Sequence, residues 1–101
     1  MITRLNFAEA YDMLQNPGVV LLDVREEPEY LTGHAAFAQL LPVDEITSET
    51  AADLIPNFET PVMVYCRTGR RSARAAKLLS QLGYRNIMDM GGLVGWPYGL
   101  E

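Results

Sequence analysis

The run Cys66-Arg67-Thr68-Gly69-Arg70-Arg71-Ser72 gathers the groups best suited to covalent chemistry on an anion. Cysteine is the nucleophile of the set, and its thiolate is the reactive form. Four arginines fall between positions 67 and 74. Arginine presents a planar fork of donors that holds two oxygens of one anion at once. Gly69 permits a backbone turn in which successive N–H groups face inward. Crowding arginines where a helix starts opposes the helix dipole, at about 0.3–1 kcal/mol each. An anion, or a carboxylate from elsewhere in the chain, has to compensate. The combination reads as a nucleophilic thiolate in an anion cradle. Taken singly the parts are bland: a lone cysteine after a strand is commonly an inert buried residue, and Arg74 and Lys77 read as a solvated helix face.

The elements around this run place it. Pro61 to Tyr65 is the clearest strand, and Cys66 sits at its end. A helix is expected from near Ser72, with Ala75, Leu78, Leu79 and Leu82 as its buried stripe and Gly83 as its stop. Asn86 to Met90 reads as a strand closed by Gly91-Gly92. Earlier in the chain, Asn6 and Glu9 form a capping box ahead of the apolar stripe Phe7, Ala10, Tyr11, Leu14. Val19 to Val24 reads as a strand buried on both faces. One helical turn over Pro28–Leu31, a short strand at Leu40-Leu41 and a helix capped by Ser48 complete the order. Strand and helix alternate, which predicts an α/β domain with a central, mostly parallel sheet flanked by helices. Cys66 then lies beyond a strand's carboxyl end and before a helix N-terminus, where an open parallel sheet binds ligands.

The chain of 101 residues is long enough for one core, and the whole of 1–101 is read as a single domain. Its net charge of −5 excludes a chain-wide basic footprint for nucleic acid or anionic membrane. The charge is uneven. Residues 1–60 carry two bases and eleven acids, whereas residues 61–101 carry six bases and two acids. No acid lies between Glu59 and Asp89. Cys66 is the only cysteine and His34 the only histidine, so neither a disulfide nor a zinc cluster is expected. No metal or organic cofactor is implied. No apolar run has the length of a membrane span, and Met1 to Leu5 lack the apolar region of a signal peptide. A cytoplasmic location is expected, with an export leader removed beforehand left open.

Four segments in order make the chain similar to the rhodanese family of sulfurtransferases: Leu22-Asp23-Val24-Arg25 with Glu29-Tyr30; Gly33-His34; Val64 to Ala73; and Gly91-Gly92-Leu93-Val94-Gly95-Trp96. The resemblance runs from about Asn6 to Trp96. It implies a three-layer rhodanese-like domain and a Cys66 that carries sulfur as a persulfide. Thiosulfate, or a similar donor, would supply the sulfur, and cyanide or a thiol would accept it. The backbone from Arg67 through Thr68, Gly69, Arg70 and Arg71 to Ser72 would hold the persulfide charge. Arg67 and Arg70 would receive the donor dianion, and Arg71 would pair inward with an acid such as Asp23 or Glu29. Asp23 reads as a hydrogen-bonding anchor. Arg25 would reach the site or pair with Glu29. His34 reads as a rim or structural residue, although a Cys–His pair stays open. The family pattern has a glycine where Phe37 stands here, so altered packing is expected at the site's rim, and Pro97 shortens the closing helix.

Two other readings compete. A cysteine phosphatase needs a cysteine and an arginine separated by five residues, which puts the arginine at position 72, and position 72 is Ser. A regulatory rhodanese-like module, or a persulfide carrier that serves a partner protein, would use the same fold. Modules that have lost catalysis commonly lack the cysteine, which this chain keeps.

Overall fold

A computed structural model describes residues 2–101. Five strands form one parallel sheet in the order β1-β5-β4-β2-β3. The strands are β1 (Ile2–Arg4), β2 (Val20–Asp23), β3 (Gln39–Leu40), β4 (Val62–Cys66) and β5 (Ile87–Gly92). The helices are α1 (Phe7–Leu14), α2 (Glu27–Thr32), α3 (Ser48–Leu54) and α4 (Arg70–Leu82), with a 3-10 turn at Val43–Glu45.

The alternation of side chains along β4 divides the core. Val62, Val64 and Cys66 join Leu22, Val24, Ala51, Ala75, Ala76 and Leu79 on the α3/α4 face. Met63 and Tyr65 join Ala10, Leu21, Met88 and Met90 on the other. Every β4 residue is buried, which is why the strand reads as an unbroken apolar run. Met63, Met88 and Met90 are buried and fill this part of the core.

Local chemistry sets the element ends. Asn6 caps α1 through the expected box, its side chain accepting from Glu9 N at 2.8 Å while Glu9 accepts from Asn6 N at 2.9 Å. The α3 cap is Thr47 rather than Ser48: the Thr47 hydroxyl accepts from Thr50 N, and Thr50 returns the bond. Helix α4 begins at Arg70, two residues before the expected start. Gly69, at φ 104°, turns the chain so that Arg70 and Arg71 enter the first helical turn. Gly83 ends the helix in a left-handed conformation, as expected.

Two elements are additions to the sequence reading, β1 and the 3-10 turn. β1 has three residues and pairs with β5 from Ile2 opposite Ile87 to Arg4 opposite Asp89. β5 extends through Gly92, further than the expected stop at Met90, because Gly91 and Gly92 still pair with Tyr65 and Cys66. The register slips by one residue between Val64 and Tyr65. The Asp89 carboxylate accepts from Gly91 N at 2.8 Å, which stabilises that bulge.

Phe37 takes the left-handed conformation that a glycine would favour, φ 68°, and its side chain is 84% exposed. It lines grooves with Leu14, Gln15, Trp96 and Gln39, and none of the Cys66 loop residues shares them. The departure from the family pattern therefore alters the face beside α1 and not the rim around Cys66. Tyr98 stays partly exposed and stacks on Tyr11 at 3.9 Å between ring centres, so it caps the core's edge.

Candidate active site

β2 and β4 are neighbours in the sheet, and the helices that follow them pack on opposite faces, α4 in one core cluster and Tyr30 of α2 against the other, which makes their carboxyl ends a switch point where such sheets bind ligands. Asp23 ends β2 and Cys66 ends β4. Glu29 on α2 and Arg71 on α4 reach across from the two sides.

Cys66 is fully buried, with its sulfur beneath the loop. Gly69 N donates to Sγ at 3.0 Å. Burial alone pushes the thiol pKa up. The Ser72 and Gly69 amides, the Ser72 hydroxyl and the Thr68 amide oppose it, and together they bring the pKa below the usual thiol value. This is the inward-facing nest expected from Gly69 and the helix start. Ser72 is buried, and its hydroxyl also donates to Gly69 O at 3.1 Å.

The backbone of β5 shapes the loop from behind. A β carbon at Gly92 would overlap the Arg67 carbonyl oxygen and lie 2.8 Å from Thr68 Cα. Leu93 N donates to Cys66 O at 2.9 Å. Gly92 thus positions the loop, a role that sequence reading missed. The available signal was a glycine pair at a strand end, which marks close approach of another backbone.

The arginines take different roles. Arg71 makes a two-pronged pair with Glu29, at 2.6 and 3.0 Å, and this ties α4 to α2. It lowers the Glu29 carboxyl to about 2. Asp23, the other partner considered for Arg71, is engaged elsewhere. Arg74 pairs with Asp44 at 2.9 Å on the surface. Arg67 and Arg70 are exposed and, among the described residues, make no ion pair with a carboxylate. Thr68, Arg70, Arg71 and Arg74 line an open depression of about 410 Å³ outside the loop.

Arg25 neither reaches the thiol nor pairs with Glu29 by hydrogen bond. Its guanidinium donates to Asp23 at 2.6 and 3.0 Å and to Gly33 O at 2.7 Å. The Tyr65 hydroxyl donates to the same Asp23 carboxylate at 2.6 Å and accepts from Ala35 N at 3.1 Å. Asp23 is therefore the anchor its position suggested, and Tyr65 is its unforeseen partner. Burial and the bond to Asp23 raise the Tyr65 pKa beyond the reach of ordinary titration. His34 stacks on Tyr30, with ring centres 3.9 Å apart, and its Nδ1 meets Tyr30 O at 3.0 Å. It makes no hydrogen bond to Cys66, so the arrangement is not a Cys–His pair. Among the described residues no acid, histidine and cysteine group is gathered as a metal site would be, and no helix is long and apolar enough to cross a membrane.

The sheet order, the loop geometry and the buried Asp23 anchor define a class, and residues 6–97 match the rhodanese-like domain family. The chain belongs to that family. A Schizosaccharomyces pombe protein, provisionally named a mitochondrial thiosulfate sulfurtransferase, is 36% identical over 105 residues, spanning 90% of this chain and 74% of its own. A structure described as an E. coli rhodanese with anions superposes with a TM-score of 0.71 at 34% identity, over 75% of this chain and 88% of its own. A rhodanese-related protein of Thermoplasma volcanium gives 0.79 at 28% identity, over 98% and 97% of the two chains.

Proposed function

We propose that the protein is a sulfurtransferase that takes sulfane sulfur from thiosulfate, or a similar donor, onto Cys66 and passes it to cyanide or a thiol. The observation that carries this reading is the ring of donors around Sγ, which opposes the cost of burying a thiolate.

The first step is attack of the Cys66 thiolate on the outer sulfur of thiosulfate. A new S–S bond forms at Cys66, the old S–S bond breaks, and sulfite leaves with the electron pair. The enzyme then carries Cys66–S–S⁻, and no external oxidant is needed. In this reading the amides of Thr68, Gly69 and Ser72, which favour the Cys66 thiolate, hold the anionic sulfur. Arg67 and Arg70, which have no carboxylate partner among the described residues, are suited to draw in the donor dianion. In the second step an acceptor attacks the outer sulfur, and Cys66 departs as thiolate.

Intact-mass measurement after incubation with thiosulfate tests the reading. The protein gains one sulfur atom and loses it to cyanide, and Cys66→Ala gains none. A wild-type protein that never gains sulfur overturns the proposal.

A further inference from the structure

The exposed residues of α4 form a single stripe: Arg70, Ala73, Arg74, Lys77 and Gln81. They recur at helical spacing, so they share one face. That face carries three bases and no acid, and it begins at the loop that covers Cys66. At 1.5 Å per residue, the stretch from Arg70 to Lys77 is about 10 Å long. Thiosulfate is a compact dianion and needs only the cations at the mouth, Arg67 and Arg70. Arg74 and Lys77 lie further along than it reaches. Lys77 has no carboxylate partner among the described residues, and the acid at Arg74 is the exposed Asp44. An exposed pair of that kind exchanges readily with an incoming carboxylate.

The rest of the surface works in the opposite sense. Residues 1–60 contribute eleven acids against two bases. Most of the chain's acids lie outside α4, so the α4 stripe, with Arg67 beside it, is the most basic exposed stretch, and Asp44 is the acid paired against it. Such a field orients an encounter as well as accelerating it.

We infer that the α4 stripe docks an acidic, thiol-bearing segment of a protein, with its cysteine at the Cys66 loop and its carboxylates along Arg70, Arg74 and Lys77. The inference rests on the proposed sulfurtransferase reading and names the acceptor for its second step. In that step the segment's thiolate attacks the outer sulfur of Cys66–S–S⁻. A bond forms between the two sulfurs, the Cys66 Sγ–S bond breaks, and Cys66 leaves as thiolate. The acceptor cysteine becomes the persulfide.

Loaded enzyme is discharged with three peptides of about six residues, each with one cysteine, in acidic (glutamate-rich), neutral and lysine-rich versions. At low salt the acidic peptide discharges the enzyme about tenfold faster than the neutral one, and the lysine peptide is slower still. The differences collapse at about 0.5 M salt. Lys77→Glu lowers the acidic peptide's rate about threefold at low salt and leaves loading by thiosulfate unchanged. Equal discharge by all three peptides overturns the inference, and so does a Lys77→Glu protein that keeps the acidic preference in full. Failure to load would instead count against the sulfurtransferase reading. For that case the surface is tested separately, by fluorescence anisotropy with an acidic peptide carrying serine in place of cysteine. Binding that Lys77→Glu weakens supports the docking face, and no binding overturns it. A single-stranded oligonucleotide that outcompetes the acidic peptide would assign the stripe to nucleic acid and also overturn it.

Discussion

Gly92→Ala isolates the positioning of the loop from its chemistry, because position 92 has no reacting group. The added β carbon would overlap the Arg67 carbonyl oxygen and crowd Thr68 Cα at 2.8 Å and the Arg67 carbonyl carbon at 3.0 Å. All three are backbone atoms, so no side chain can swing away. An ordinary C···O contact is roughly 1 Å longer than this overlap allows, so the loop retreats by about that much. The bond from Gly69 N to Cys66 Sγ, now 3.0 Å, is then stretched by about 1 Å to the outer limit for a bond to sulfur and largely lost. Hydrogen bonds to charged groups contribute about 1.5–3 kcal/mol, so losing this one moves the thiol pKa back up toward the ordinary thiol range, because the bond favours the thiolate and burial opposes it. Overpacking also costs about 1–3 kcal/mol of stability, or about 5–20 °C in Tm.

Gly91→Ala is the matched control. Its φ of 79° makes alanine strained there, yet a β carbon meets nothing within 4 Å. It should cost about 1–2 kcal/mol of stability through strain and leave the thiol's titration as it is. Thiolate ultraviolet absorbance against pH reads the effect without depending on reagent access to the buried sulfur. The Gly92→Ala thiol should titrate at higher pH than wild type, while Gly91→Ala coincides with wild type. A Gly92→Ala protein that titrates as wild type does would refute the claim that β5 sets the loop. Equal perturbation by both variants would attribute the effect to general loosening of the strand end.

Tyr65→Phe removes a bond to the buried Asp23 carboxylate and leaves Ala35 N without its acceptor. Urea unfolding should show a loss of about 2–4 kcal/mol; a loss under about 0.5 kcal/mol would mean that water replaces the hydroxyl. Glu29 sets an acid limit. Its carboxyl falls from the ordinary 4.5 to about 2 on folding. A depressed carboxyl adds stability above its unfolded pKa, and that stability disappears as pH falls through the folded value. Stability should therefore decline between about pH 4.5 and pH 2, and Glu29→Gln should flatten that part of the profile in acid denaturation.

Legibility in the sequence followed the range of the interactions. β4, the loop and α4 were readable because each is specified locally: an apolar run, a glycine turn, a helical stripe and a stop at Gly83. The start of α4 was placed two residues late for a physical reason. The residues Arg67 to Arg71 are polar or glycine and show no apolar stripe, so the helix reads as starting after them, and arginines in a first turn carry a dipole cost that needs compensation. The compensation is Glu29, which meets Arg71 from another helix at 2.6 Å, and adjacent residues give no sign of it. β1 was missed because Ile2–Arg4 has no alternation to display and exists through pairing with β5. Asp23 could be read as an anchor, but Tyr65 looked like plain core: its hydroxyl meets Asp23 across 42 positions of sequence. Gly92 is the sharpest case. The loop stands where it does because a side chain is lacking on a neighbouring strand, 26 positions after the cysteine. A motif search weights the residues that react, whereas the room they need is recorded as a glycine with no chemistry of its own. Glycines that end a strand beside a nucleophile's strand are therefore candidates for positioning the site, by the same steric argument that makes Gly92→Ala and Gly91→Ala differ.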